Sequence, residues 1–164
     1  MPVAVDYVIE LRTVKPKNMY AFKGMNNIFY ADAFIEYAKL RGYTPVIIDA
    51  WATKDAVPEF FQKLKKNKDE DREYIIYGYS LGVQSGRESI KKGARPIQFI
   101  AVGPYSELKG IDKLPVMTII YGDSSSGRYG IMKDDSGKPI THDKIMNHVL
   151  KLERERYNEK GNSM

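Results

Sequence analysis

The chain has 164 residues, about the length of one domain, and we expect residues 1–164 to form a single domain. It contains no cysteine, which excludes disulfides, thiolate metal sites and cysteine nucleophiles. The net charge of +5 is modest, no apolar run reaches the ~18 residues that span a bilayer, and no signal-peptide pattern follows Met1, so a cytoplasmic protein without membrane contact is expected.

Two kinds of apolar segment follow one another along the chain. Short apolar runs predict strands over residues 3–14, 18–25, 43–51, 72–78, 96–103 and 116–122. Apolar residues at helical spacing predict helices over residues 26–42, 55–66, 81–92 and 142–157. This alternation indicates the α/β class, as a three-layer sandwich in which helices cover both faces of a mostly parallel sheet. Ligands of such sheets bind at the edge formed by the carboxyl ends of the strands.

Local signals set the expected boundaries of three elements. An asparagine, Asn26, is expected to begin the helix at 26–42. Asp55 is expected to cap the next helix at its N-terminus. The strand at 43–51 has the β-branched, apolar composition of a strand buried on both faces.

The basic residues gather in two clusters, at 63–72 and 91–95. The first cluster mixes both signs of charge, and the second ends a predicted helix, where cations complement the helix dipole. Neither combines basic with aromatic residues as nucleic-acid-binding surfaces do, so no nucleic-acid partner is expected. The two histidines, His142 and His148, form no metal-ligand pattern, and neither a metal nor another cofactor is expected.

The candidate for chemistry is Gly78-Tyr79-Ser80-Leu81-Gly82, a Gly-x-Ser-x-Gly pattern. The pattern alone is a weak signal, but here it follows a predicted buried strand and precedes a predicted helix, which is the setting that it requires. The flanking glycines would let strand and helix backbones approach closely. We interpret Ser80 as a candidate nucleophile at the N-terminus of a helix; the simpler alternative is a serine of a tight turn.

A serine nucleophile needs a base, and the base needs an acid that orients it. His142, at the junction between a loop and the last helix, is favoured as the base over His148 inside that helix, although it could be an ordinary first-turn residue. Asp123 directly follows a predicted strand at the same edge and is favoured as the acid, although it could simply close that strand. The alternative acids are Asp134, Asp135 and Asp143.

These residues resemble the α/β-hydrolase superfamily. The stretches "GYSLG" at 78–82 and "GD" at 122–123 precede His142 in the chain order nucleophile, acid, histidine that the family uses. The resemblance implies a serine esterase or thioesterase that forms an acyl-enzyme, with a small-molecule acyl substrate as its partner. It also implies an oxyanion hole made by the backbone amides of Met25 and Leu81.

The chain departs from the family pattern in its length. It has no room for a cap domain, and only a polar loop at 124–141 separates the candidate acid from His142. The nucleophile is therefore expected in an open cleft. The alternative function is a non-catalytic α/β domain that binds a ligand or a protein at the same edge.

Overall fold

The computed structural model describes residues 17–162. The strands are β1 (Asn18–Phe22), β2 (Thr44–Ile47), β3 (Ile75–Tyr79), β4 (Gln98–Val102) and β5 (Thr118–Tyr121). The α-helices are α1 (Ala31–Leu40), α2 (Thr53–Lys66), α3 (Leu81–Lys91) and α4 (Ile145–Asn162). The predicted strand at 3–14 lies outside the described residues. Among the four helices, none is long and apolar enough to cross a membrane.

The described strands form a parallel sheet in the order β2-β1-β3-β4-β5. Helices α1, α2 and α3 connect the first four strands in turn. One core lies between the sheet and the pair α1 and α4, and a second core lies between the opposite face and the pair α2 and α3. The α/β class and the three-layer arrangement predicted from the sequence are thus confirmed.

Strand β3 runs through the centre of the sheet, and all of its residues are buried. Ile75, Tyr77 and Tyr79 belong to the core beneath α1 and α4, whereas Ile76 belongs to the opposite core. The Tyr77 ring centroid lies 5.0 Å from that of Phe34 in α1. Burying one large apolar side chain contributes about 1.5–3 kcal/mol to stability. The burial of β3 therefore stabilises the position of the residues that follow its carboxyl end.

Three details differ from the sequence prediction. Helix α1 begins at Ala31, because Asn26 and Asn27 have φ values of 57° and 63°, a left-handed conformation that a helix cannot contain. Helix α2 begins at Thr53, so Asp55 lies in its first turn and does not cap it. Strand β2 is at the edge of the sheet, and its residues are partly or fully exposed because a single neighbouring strand covers them.

The polar loop after β5 folds back onto the end of that strand. The Met132 amide donates to the Gly122 carbonyl at 2.9 Å, and the Ile140 amide donates to the Met132 carbonyl at 2.8 Å. The Ser124 amide in turn donates to the Ile140 carbonyl at 2.9 Å. These bonds return the chain to the carboxyl edge of the sheet, where a short 3-10 turn, His142–Lys144, precedes α4.

Candidate active site

Ser80 alone joins β3 to α3. Its backbone has φ 58° and ψ −119°, a conformation that costs about 1–3 kcal/mol and persists only where the surroundings hold it. The Ser80 amide donates to the Val102 carbonyl of β4, and its carbonyl accepts from the Val83 amide, both at 3.0 Å. The strained turn is therefore fixed to the neighbouring strand on one side and to its own helix on the other.

The two glycines that flank this turn allow a close contact of backbones. A Cβ on Gly78 would lie 2.6 Å from the Gly82 carbonyl oxygen, and a Cβ on Gly82 would lie 2.2 Å from the Phe22 carbonyl oxygen. Real Cβ atoms do not approach backbone oxygens so closely. The turn thus has the tight approach of strand and helix that its glycines predict.

The structure brings Ser80, His142 and Asp123 into a hydrogen-bonded series. Nε2 of His142 lies 2.8 Å from Ser80 Oγ. Nδ1 of the same imidazole hydrogen-bonds to Oδ2 of Asp123. Ser80 is 4% exposed, while the His142 side chain is 32% exposed.

Asp123 is fully buried and is held by several donors besides His142. Its Oδ1 accepts from the Ser125 amide at 2.8 Å and from the Ser125 hydroxyl at 2.6 Å. Burial acts to raise the pKa of this carboxyl, but the hydrogen bonds from His142 and Ser125 outweigh it and hold the pKa below its ordinary value. Asp123 is therefore ionised at neutral pH, and its proton-bearing partner is Nδ1 of His142.

The alternative acids named from the sequence form hydrogen bonds or ion pairs with other residues. Asp143 accepts from the Thr141 hydroxyl at 2.6 Å, and Asp135 forms an ion pair with Lys151 at 3.1 Å. Asp134 accepts from the amides of residues 136 and 138 within an exposed turn. His148 is the fourth residue of α4. Within residues 17–162, no cluster of three or more histidine or acidic side chains could hold a metal ion.

Three residues at this edge were missed by sequence reasoning. The Tyr105 hydroxyl lies 2.9 Å from Ser80 Oγ, and its ring is near-parallel to the His142 ring at 5.8 Å. The Tyr79 ring stacks on the same imidazole at 5.2 Å, and its hydroxyl donates to the His142 carbonyl at 2.9 Å. An added Cβ on Gly103 would lie 2.7 Å from Asp123 Oδ2. The signal that could have found Gly103 and Tyr105 is their place directly after β4, at the same edge as Ser80.

Met25 and Leu81 are the residues whose amides were predicted to form an oxyanion hole. Leu81 begins α3, and the first amides of a helix have no acceptor within it. Met25 begins a short turn, Met25–Asn27, that contains the left-handed Asn26. The chain before Met25 passes close to the candidate nucleophile, because a Cβ on Gly24 would lie 3.3 Å from Ser80 Cβ. Both predicted donors thus belong to segments that adjoin Ser80.

No protein-family model and no curated protein sequence matches this chain. Among solved structures, a crystal structure from Pectobacterium atrosepticum, described as a YdeN-like hydrolase, is similar at 13% identity and a TM-score of 0.48. That match covers 70% of this chain and 66% of the other, just under two thirds of its length. The crystal structure of ClbQ from the colibactin NRPS/PKS pathway is similar at 14% identity and a TM-score of 0.44, covering 87% of this chain and 67% of the other.

Proposed function

We propose that the protein is a serine hydrolase that cleaves an ester or a thioester through an acyl-enzyme on Ser80. The observation that carries this proposal is the 2.8 Å contact between Ser80 Oγ and His142 Nε2, with Asp123 on the other imidazole nitrogen. A hydroxyl within reach of a base, and a base oriented by a buried carboxylate, are the groups that nucleophilic catalysis by serine needs.

In the first half of the reaction, Ser80 Oγ attacks the carbonyl carbon while its proton passes to His142 Nε2. The bond from that carbon to the leaving oxygen or sulfur then breaks, and the Nε2 proton passes to the leaving atom. The acyl group remains on Ser80 as an ester. Asp123 keeps the proton of the neutral imidazole on Nδ1 and stabilises the imidazolium that forms.

In the second half, a water molecule gives a proton to His142 Nε2 as its oxygen adds to the acyl carbon. The bond from Ser80 Oγ to that carbon breaks, Oγ regains the proton from Nε2, and the carboxylic acid leaves. In both halves the carbonyl oxygen becomes negative, and the amides of Met25 and Leu81 would donate to it. Losing one such donor typically lowers a rate about 100-fold or more.

The test is covalent labelling with a fluorophosphonate probe, combined with hydrolysis of short-chain p-nitrophenyl esters and a thioester analogue. Wild-type protein should be labelled on Ser80 and should hydrolyse at least one of these substrates, whereas Ser80→Ala should do neither. Ser136→Ala, which changes an exposed serine of the turn at 134–138, is the matched control and should behave as wild type. Absence of labelling in correctly folded wild-type protein would indicate a non-catalytic binding domain.

A further inference from the structure

Tyr79 connects the proposed base to the strand that carries the proposed nucleophile. It is the last residue of β3, it directly precedes Ser80, and it is buried. Its hydroxyl donates to the backbone carbonyl of His142 at 2.9 Å, and its ring stacks on the His142 imidazole with 5.2 Å between the ring centroids. One side chain of β3 thus contacts both the backbone and the ring of His142.

His142 lies outside the strands and needs to be held by contacts of its side chain and backbone. It begins the short 3-10 turn His142–Lys144, after the polar loop at 124–141. The hydrogen bonds of its two ring nitrogens, to Asp123 and Ser80, are directed in the plane of the ring, so they oppose a tilt of the ring only weakly. The stacked ring of Tyr79 covers one face of the imidazole and opposes that tilt.

Tyr79 is itself fixed on several sides. Its backbone pairs with Val102 of β4, and its ring packs edge-on against the Tyr30 ring with 6.1 Å between the centroids. Burial raises the pKa of the Tyr79 hydroxyl above its ordinary value. The hydroxyl therefore keeps its proton at neutral pH and well above it, and it remains a donor to the His142 carbonyl.

We infer that Tyr79 is a positioning residue, which holds the His142 imidazole in the orientation that reaches both Ser80 and Asp123. This inference rests on the proposed function, since it concerns the base of the same reaction. Because Tyr79 and Ser80 are adjacent in the chain, the distance between base and nucleophile depends on β3 as well as on the polar loop. A displacement of about 1 Å at a catalytic group can lower a rate about 100-fold, and we expect a smaller displacement, with a loss of about 10-fold, when only the hydroxyl is removed.

The test compares Tyr79→Phe with wild type in two measurements. This substitution keeps the ring on the imidazole and removes only the hydroxyl that bonds to the His142 carbonyl. We expect the second-order rate constant for fluorophosphonate labelling of Ser80 to fall about 10-fold. In proton NMR, the low-field resonance of the His142 Nδ1 proton should broaden, because a less firmly held imidazole exchanges this proton with water more rapidly.

Tyr77→Phe is the matched control. Tyr77 is a buried tyrosine of the same strand and the same core, but its ring packs on Phe34 of α1. The control should keep the wild-type labelling rate and the wild-type Nδ1 resonance. Equal losses in Tyr77→Phe and Tyr79→Phe would indicate a general loss of core packing and would overturn the inference.

The other outcomes separate this inference from the proposed function. Unlabelled wild type overturns both. Labelled wild type with an unchanged rate in Tyr79→Phe overturns the inference alone, and so does a lower rate with an unchanged Nδ1 resonance. Circular dichroism identifies a variant that does not fold. In that case a nuclear Overhauser effect between the Tyr79 ring and the His142 imidazole of wild type tests the contact, and its absence contradicts the inference.

Discussion

The backbone of Gly103 lies directly against the carboxylate of Asp123. A Cβ on Gly103 would come within 2.7 Å of Asp123 Oδ2 and 3.2 Å of His142 Nδ1, and the residue has φ 62°. The position of Gly103 beside Asp123 is fixed, because its amide donates to the Tyr121 carbonyl at 2.8 Å. The contact between Asp123 and His142 therefore leaves no room for a side chain at position 103.

We expect Gly103→Ala to lower the rate of fluorophosphonate labelling about 100-fold, since a displacement of about 1 Å at a catalytic group can cost that much. Gly110→Ala is the matched control, because Gly110 also has a left-handed φ, 82°, but no atom lies within 4 Å of its added Cβ. Equal losses in the two variants would mean that backbone strain, and not the contact with Asp123, is responsible.

His142 and His148 provide a direct comparison of the two candidate bases. His142→Ala should lower ester hydrolysis by about 1,000-fold or more, because Ser80 would lose its proton acceptor. His148→Ala, which removes a partly buried histidine of α4, should retain most of the activity. Initial rates with a p-nitrophenyl ester measure both variants, and the reverse result would show that the base is misassigned.

Asp123→Asn should lower the same rate about 1,000- to 10,000-fold, because an amide no longer fixes the proton of His142 on Nδ1. Asp143→Asn is the control, since Asp143 is the sequence neighbour of His142 but bonds to Thr141. Steady-state kinetics of the two purified variants measure the difference. A large loss in Asp143→Asn with normal activity in Asp123→Asn would move the acid to position 143.

The lowered pKa of Asp123 also predicts how stability depends on pH. Burial raises this pKa, and the stronger hydrogen bonds from His142 and Ser125 lower it. A carboxyl with a lower pKa in the folded state stabilises the fold above its unfolded pKa, about 3.9, and this contribution is lost as the pH falls through the folded value. The Tm advantage of wild type over Asp123→Asn should thus shrink between pH 5 and pH 2.5. An advantage that is constant over this range contradicts the lowered pKa.

Gly82→Ala tests the close contact of α3 with β1. The added Cβ would lie 2.2 Å from the Phe22 carbonyl oxygen, so either the helix or the strand must shift. Overpacking of this kind typically costs about 1–3 kcal/mol, and we expect at least that decrease in the free energy of unfolding measured with urea. Gly161→Ala, with open space around it, should be close to neutral.

The layers of the fold could be predicted from the sequence because short apolar runs and segments with helical apolar spacing follow one another along the chain. Ile75, Tyr77 and Tyr79 face one core and Ile76 faces the other, so the strand reads as a continuous apolar run, as strands buried on both faces do. The edge position of β2 could not be predicted, since the residues of an edge strand can be as apolar as those of a central one. The predicted start of α1 was wrong because Asn26 has the residue type of a helix cap but adopts a left-handed turn conformation.

The candidate site was predictable only where residues follow strands directly. Ser80 and Asp123 each come at a strand end, so parallel topology alone places them at one edge. The place of Tyr105 shortly after β4 indicates the same edge, but its contact with Ser80 depends on the left-handed Gly103, whose amide donates to Tyr121 of β5. This local geometry leaves no periodic trace in the sequence.

The hydrogen bonds of the loop after β5 divide it into two parts with different tolerance to change. The bonds among Gly122, Met132 and Ile140 hold the part that positions His142, whereas the turn at 134–138 closes on itself through Asp134 and is exposed. New sequence placed in that turn would leave the positioning bonds intact. An insertion in this exposed turn should therefore preserve the distance between Ser80 and His142.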